Sequence, residues 1–301
     1  MTKTKKTDAK ETETGPLQET IPTEEQNFPL IEKENQKLLQ ENEALKTENS
    51  QLREYIDARE HPVYLVVFPY KKAEAQGQEL KLALTGWVKH FKERFRIVVV
   101  GDWEDFFTEF SEDITYIPHE CTSDNPPLDV VSKLMTVMAE LPEYESLILT
   151  NDDIYPVNDF DLTDVKFLKT DGFLTDQKST GTLYAKNRKK TLNLLIKEEK
   201  TIFDYGCHTP VYLETSKLID LVDRFDLQNE AYLLSSLYFN YFFPTRVPMK
   251  LDIFQDNLKV GVYRKNADLK KLQELIPWKI WVNNSKEGWS PEFAALLENI
   301  L

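Results

Sequence analysis

Hydrophobic and polar positions divide the chain into three regimes. Over residues 1–30 large apolar side chains are nearly absent and Thr, Glu, Lys and Pro dominate. Such a composition cannot offset chain entropy by burial, and it predicts a disordered polar leader. A seven-residue period then sets in, with Ile31, Leu38, Leu45 and Leu52 on one heptad position and Asn35, Asn42, Asn49 and Ile56 four residues on. Leucine at d with asparagine at a is the pattern of a parallel coiled coil, in which paired Asn side chains fix the register at a cost in stability. The period predicts self-association through residues 31–58, as a dimer rather than a trimer. A single polar helix solvated all round is the alternative, because about four heptads with polar a positions are marginal alone.

From residue 61 the pattern changes again. "HPVYLVVFPY" (61–70), "RIVVVGD" (96–102), "ITYIPHE" (114–120) and "SLILT" (146–150) are short β-branched or aliphatic runs that read as buried strands. Between them lie "GQELKLALTGWVKHFKERF", whose Leu80, Leu84, Trp87, Val88 and Phe91 share a helical face, the short helix "WEDFFTEF", and a helix over 126–144 opened by Pro127 and closed near Pro142. Strands alternating with helical crossovers predict an α/β fold with a mostly parallel sheet. Beyond residue 160 the order loosens into the helix "RKKTLNLLIKEEK", the segment "YGCHTPVYLE", two more helices to about Phe243, the strand-like "VPMKLDIFQ", "KVGVYR" and "WKIWVNN", and a last helix capped by Ser290. This half continues the same domain, taken as residues 61–301.

With 301 residues there is room for one sizeable α/β domain plus an appendage. The formal charge of −14 argues against a nucleic-acid or anionic-membrane surface, which selects for basic patches. No apolar run approaches the roughly 20 residues of a membrane span, and the N-terminus lacks a signal-peptide core, so a soluble, cytoplasmic protein is expected. Cys121 and Cys207 are the only cysteines, which excludes a disulfide framework. Their neighbours His119 and His208 do not give zinc-knuckle spacing.

Chemistry concentrates where the fourth strand ends, in "LILTNDDIYPV". Adjacent Asp152 and Asp153 at the exit of a buried strand disfavour joint ionisation. A divalent cation relieves that penalty, and Mg²⁺ or Mn²⁺ binds through one or two carboxylates plus waters and substrate phosphates. The plainer reading is a solvated turn before Pro156. His208 before Thr209-Pro210 is likewise either a turn or core residue or a group for acid/base work or attack on phosphorus. Tyr238, Phe239, Tyr241, Phe242 and Phe243 fit helix packing better than a sugar platform. Arg188, Lys189 and Lys190 read as a solvated helix start, with a diphosphate contact as the alternative.

Four blocks, "GQELKLALTGWVKHFKERFRIVVVGD", "VSKLMTVMAELPEYESLILTNDDIYPV", "GCHTPVYLETSKL" and "WKIWVNNSKEG", occur in the order found in the Stealth-type capsular polysaccharide phosphotransferases and their shorter phage and bacterial relatives. The chain resembles that family over about residues 63 to 290, most firmly in "NDD" and "HTP". The resemblance implies a GT-A-like, nucleotide-diphospho-sugar transferase-like sheet and transfer of a sugar or sugar phosphate from a nucleotide sugar to a carbohydrate or other acceptor. It implies Glu79 and Lys81 near donor phosphates, Asn151 beside them, Asp152 and Asp153 at Mg²⁺ or Mn²⁺, Asp153 and His208 at the reaction, and Asn283 and Asn284 in a late substrate-binding turn. The sequence departs from the family at Thr85-Gly86, where the family has Arg-Ser, and at "FPYKKAEAQG", where it has an acidic turn. The competing reading is a non-catalytic oligomeric or binding protein in which the zipper carries the function. The two differ in whether Asp152, Asp153 and His208 converge on one cavity.

Overall fold

A computed structural model describes residues 24–60, 62–110, 114–176, 181–265 and 267–301. Most of the expected leader, residues 1–23, lies outside them. The chain divides into two compact units, residues 1–61 and 62–301.

In the first unit, helix α1 runs Glu24–Glu60 without a break, starting seven residues ahead of the heptad. Leu38, Leu45 and Leu52 on it are 56%, 56% and 51% exposed.

The second unit is a mixed α/β domain around a mainly parallel sheet. Strands β1 (Tyr64–Tyr70), β2 (Phe95–Gly101), β3 (Ile114–Pro118) and β4 (Ser146–Leu149) are followed by β5 (Ile154–Pro156), and the short β6 (Lys169–Thr170), β7 (Gly172–Phe173) and β8 (Phe203–Asp204) lead to β9 (Val211–Glu214). The main sheet has the order β3-β2-β1-β4-β9, parallel except for β9, which pairs antiparallel to β4. The remaining strands are β10 (Met249–Lys250), β11 (Lys259–Val262) and β12 (Trp281–Asn284). A second sheet has the order β11-β12-β5.

Period-two side-chain alternation sends successive residues of β1 and β2 into two cores. Val66, Phe68, Ile97 and Val99 pack with helix α2 (Glu79–His90) and the second sheet, while Leu65, Val67, Val98 and Val100 pack with helix α3 (Pro126–Glu140). Both faces are therefore covered, as the near-continuous apolar runs of these strands require. Trp87 of α2 is fully buried and meets Phe68, Phe91 and Phe160 edge-on, contacts worth ~0.5–1.5 kcal/mol each beyond their area. Helices α4 (Leu162–Lys166), α5 (Leu183–Lys197), α6 (Thr215–Phe225) and α7 (Leu234–Phe242) follow, then α8 (Leu269–Leu275) and α9 (Pro291–Ile300), whose Ser290 cap accepts from the Phe293 backbone N–H. Tyr238 and Phe239 of α7 are core residues, and Tyr241, Phe242 and Phe243 pack against the same cluster.

Gly86 has a packing role. A Cβ on Gly86 would lie 2.5 Å from the Pro156 carbonyl oxygen and 2.9 Å from its Cδ. Glycine lets β5 lie directly on α2, and β5 is where the chain leaves the main sheet for the second one.

Strand order decides where a ligand can sit. From β1 the chain builds outward through β2 to β3, then α3 carries it back so that β4 joins the opposite side of β1. In open α/β sheets the crevice outside the strand C-terminal ends at such a reversal is the usual ligand position. Here it lies between the segments after Tyr70 and after Leu149. Among the described residues, no helix is long and apolar enough to cross a membrane.

Candidate functional site

A cavity of about 250 Å³ opens at that reversal, lined from the β1 exit by Lys71 and Glu74, from α2 by Glu79, from α3 by Asp129, from the β4 exit by Asn151, Asp152 and Asp153, and from the end of β12 by Asn284 and Lys286. The "NDD" segment is a turn: the Ile154 backbone N–H donates to the Asn151 carbonyl at 3.3 Å, with the two aspartates as its central residues. The turn does not leave both carboxylates in open solvent. Asp153 is 24% exposed along its side chain, and its Oδ1 is buried without a hydrogen-bond partner.

Glu79 and Asn284, 205 residues apart in sequence, form the inner wall. Asn284 Nδ2 donates to Glu79 Oε1 at 2.6 Å, and Tyr155 Oη donates to Asn284 Oδ1 at 2.6 Å. The Gln76 backbone N–H donates to Glu79 Oε2 at 2.5 Å. A buried carboxylate and amide are thus locked by bonds that satisfy both.

Carboxylates withdrawn from water hold their protons, and a neighbouring carboxylate strengthens the effect. Burial first, then the charge of Glu79, pushes Asp152 up to about 7. Burial first, then Asp152 and Glu79, pushes Asp153 up to about 8. Glu79 is itself raised by burial, against the bonds from Asn284 and Gln76.

His208 enters from the β8–β9 connection, where its backbone takes the left-handed conformation with φ 46°, uncommon for a residue with a Cβ. Its Nδ1 is 3.9 Å from Asp153 Oδ2, outside hydrogen-bonding range yet close enough for both to address one reacting centre. The side chain is 47% exposed and lines a second recess. Burial, then the nearby Lys259 ammonium, pushes its pKa down to about 4. Around neutral pH the imidazole is therefore neutral and able to accept a proton.

The remaining residues singled out in the sequence are placed differently. Lys81 lies two residues from Glu79 on α2, a turn of roughly 200° around the helix, and its Nζ pairs with Glu109 at 2.7 Å outside the cavity. Asn283, next to Asn284 on β12, points to the other face, where its Oδ1 accepts from Tyr263 Oη at 3.3 Å. Its Nδ2 is buried and unpartnered. Arg188 is not a solvated helix start: it is nearly buried, pairs with Asp204 at 3.0 Å and donates to the Phe173 and Leu174 carbonyls. Lys71, Glu74 and Asp129 line the cavity without having been singled out, because only the tertiary fold brings the β1 exit and the start of α3 together.

Among the described residues, no group of three or more His, Cys, Asp and Glu side chains is placed to hold a metal ion. Asp152 and Asp153 nonetheless fit one that brings other ligands with it, since Asp153 Oδ1 lacks a partner and both carboxylates pay for ionising unaided.

No protein-family model matches the sequence, and no curated protein matches it. The resemblance to the Stealth-type enzymes therefore rests on the quoted motifs alone. Among solved structures the chain is similar to the "crystal structure of a glycosyltransferase involved in the glycosylation of the major capsid of PBCV-1", with 13% sequence identity and a TM-score of 0.39, over 79% of this chain and 98% of that one. At that identity and TM-score the likeness carries no argument about activity.

Proposed function

We propose that the chain is a GT-A-like transferase that moves a sugar or sugar phosphate from a nucleotide sugar to a carbohydrate or other hydroxyl-bearing acceptor. The observation that carries this reading is the meeting of Asp152, Asp153, Glu79 and Asn284 in one cavity at the strand-order reversal, with His208 3.9 Å from Asp153. Asp152 and Asp153 would hold Mg²⁺ or Mn²⁺, which when bound neutralises charge developing on the leaving phosphate. Glu79 and Asn284, locked together, fix the wall against which the donor lies. His208, neutral, accepts the proton that the acceptor hydroxyl loses as it attacks. Attack on the anomeric carbon releases a nucleoside diphosphate, and attack on phosphorus releases a nucleoside monophosphate.

His208→Ala tests this assignment. With a panel of nucleotide sugars and Mn²⁺, the variant is expected to keep nucleotide-induced thermal stabilisation while turnover falls by about 10²–10⁴-fold, the usual contribution of a positioned acid or base. Identifying the released nucleotide distinguishes sugar from sugar-phosphate transfer. Turnover unchanged in the variant would remove His208 from the chemistry.

The exposed leucine row of α1 supports a second element of the proposal, self-association through residues 31–58. Asparagines at a favour a two-stranded parallel arrangement. Deleting residues 1–58 removes no strand of the α/β domain and is expected to leave it folded and monomeric. Light scattering that reports the same oligomer for both forms would assign association elsewhere.

A further inference from the structure

We propose that a second, larger recess beside the first cavity is a binding site for a neutral, hydroxyl-rich glycan; its role as the acceptor's place rests on the transferase reading above. It measures about 850 Å³, within the ~300–1,000 Å³ of ligand pockets. His208 lines it and also approaches Asp153 of the first cavity, so the two recesses adjoin at that pair.

Two tyrosines are built into the recess over glycines. A Cβ on Gly261 would lie 2.2–2.4 Å from ring atoms of Tyr263, so only glycine lets that ring lie across β11. A Cβ on Gly206 would lie 3.0 Å from the Tyr184 hydroxyl. Both rings are nevertheless about half exposed, at 48% for Tyr263 and 47% for Tyr184. Tyr263 Oη donates to the fully buried Asn283 Oδ1 at 3.3 Å, which pins the ring while its face stays open. A fixed aromatic face with polar groups at its rim suits the C–H face and hydroxyl edge of a sugar ring, because the apolar body and polar tip of tyrosine match both.

Charge separates this ligand class from a second nucleotide. Arg188 is committed to Asp204 and to two backbone carbonyls, and Lys259 Nζ to the Cys207 carbonyl and, at 3.3 Å, to Tyr263 Oη. Against Arg188, Lys250 and Lys259 the lining sets Asp171, Asp176, Asp204 and Asp256. A polyphosphate would meet Arg188 and Lys259 already engaged, and four carboxylates against three cations. Hydroxyl groups can donate to the exposed Asp171 and Asp176 carboxylates and meet no such repulsion.

The test uses the full chain on an array carrying neutral oligosaccharides and sialylated, uronate-bearing and phosphorylated ones, with Tyr263→Ala, Tyr263→Phe and Tyr184→Ala beside the parent. The parent is expected to bind neutral glycans. Tyr263→Ala should lose about tenfold or more in affinity, as loss of a central aromatic contact does, while Tyr263→Phe, which keeps the ring, retains most of the binding. Tyr184→Ala, on a different element, provides the same readout if Tyr263→Ala melts early. Binding confined to anionic glycans, binding to none, or binding untouched by both alanine variants would overturn the proposal. Stabilisation by UDP or GDP with Mn²⁺, measured in parallel, reports the neighbouring cavity. Its absence beside intact glycan binding would sink the donor reading and leave the glycan site standing.

Discussion

Replacing Asp153 by asparagine is expected to abolish Mg²⁺- or Mn²⁺-dependent nucleotide binding while leaving the domain folded. The substitution keeps the volume and removes a charge from a carboxylate that has one oxygen buried without a partner and the other 3.9 Å from His208. Hard divalent cations need anionic oxygen, and Asp152 alone leaves a single carboxylate to bind one. Thermal stabilisation by UDP or GDP with Mn²⁺ should fall to the level seen with nucleotide and no metal. Unchanged affinity and unchanged Mn²⁺ dependence would reduce "NDD" to the turn it also is.

The same variant predicts a pH effect of definite sign in the metal-free protein. Carboxylates raised to about 7 and about 8 bind protons in the folded state that the unfolded chain has already released above its ordinary value of 3.8. Between those limits the folded form holds more protons at these two groups, so their contribution to stability falls as pH rises from about 4 to about 8, and His208, pushed down to about 4, offsets part of it below its ordinary value of 6.5. Asp153→Asn removes one such group and partly relieves its neighbours. It should therefore melt higher than the parent at pH 8.5, by at least about 1 kcal/mol or roughly 2–4 °C, with the difference shrinking towards pH 5. A parent that gains stability across that range in the absence of metal would contradict the cavity's electrostatics.

The elements that carry the site were legible where local pattern suffices. β1 and β2 are β-branched runs buried on both faces, and the helix between them, α2, shows an apolar face at the helical period, so strand–helix alternation reads as α/β without tertiary knowledge. Strands of two residues, such as β6, β7, β8 and β10, carry no periodicity and exist only because a partner strand lies alongside. "VPMKLDIFQ" yields just Met249–Lys250 for that reason.

The site divides in the same way. Asp152 and Asp153 were visible because a buried strand ends at them. Glu79 and Asn284 came from the resemblance, since no local pattern could pair residues 205 apart. Lys81 came with Glu79, although helical geometry turns a residue two positions on to another face. The second recess had a faint signal: Gly261 and Tyr263 stand two apart in "KVGVYR", and period-two alternation puts them on one face of the strand, the tyrosine leaning over the gap the glycine leaves. Arg188 was misread because its partner Asp204 lies on β8, an element too short to be predicted.

Beneath the cavity, Lys133→Met is expected to destabilise the α/β domain by about 3–5 kcal/mol, the usual cost of breaking a buried ion pair from one side. The Lys133 side chain is 1% exposed, and its Nζ donates to Asp129 Oδ2 at 2.6 Å and to the Tyr70 carbonyl at 2.8 Å. The ends of β1 and β2 close over it. At Gly101, φ 136°, a Cβ would sit 1.9 Å from that same Tyr70 oxygen and 3.2 Å from the lysine Cε. Methionine fills the space but strands Asp129, whose Oδ1 already lacks a partner, and leaves the Tyr70 carbonyl without its lysine donor. For a domain of this size the melting temperature should fall by roughly 10 °C. Pairing the change with Asp129→Leu removes the stranded carboxylate as well, and apolar replacement of a whole buried pair is often neutral, so the double variant should recover much of the loss. A double variant no better than Lys133→Met would place the cost in the Tyr70 contact instead.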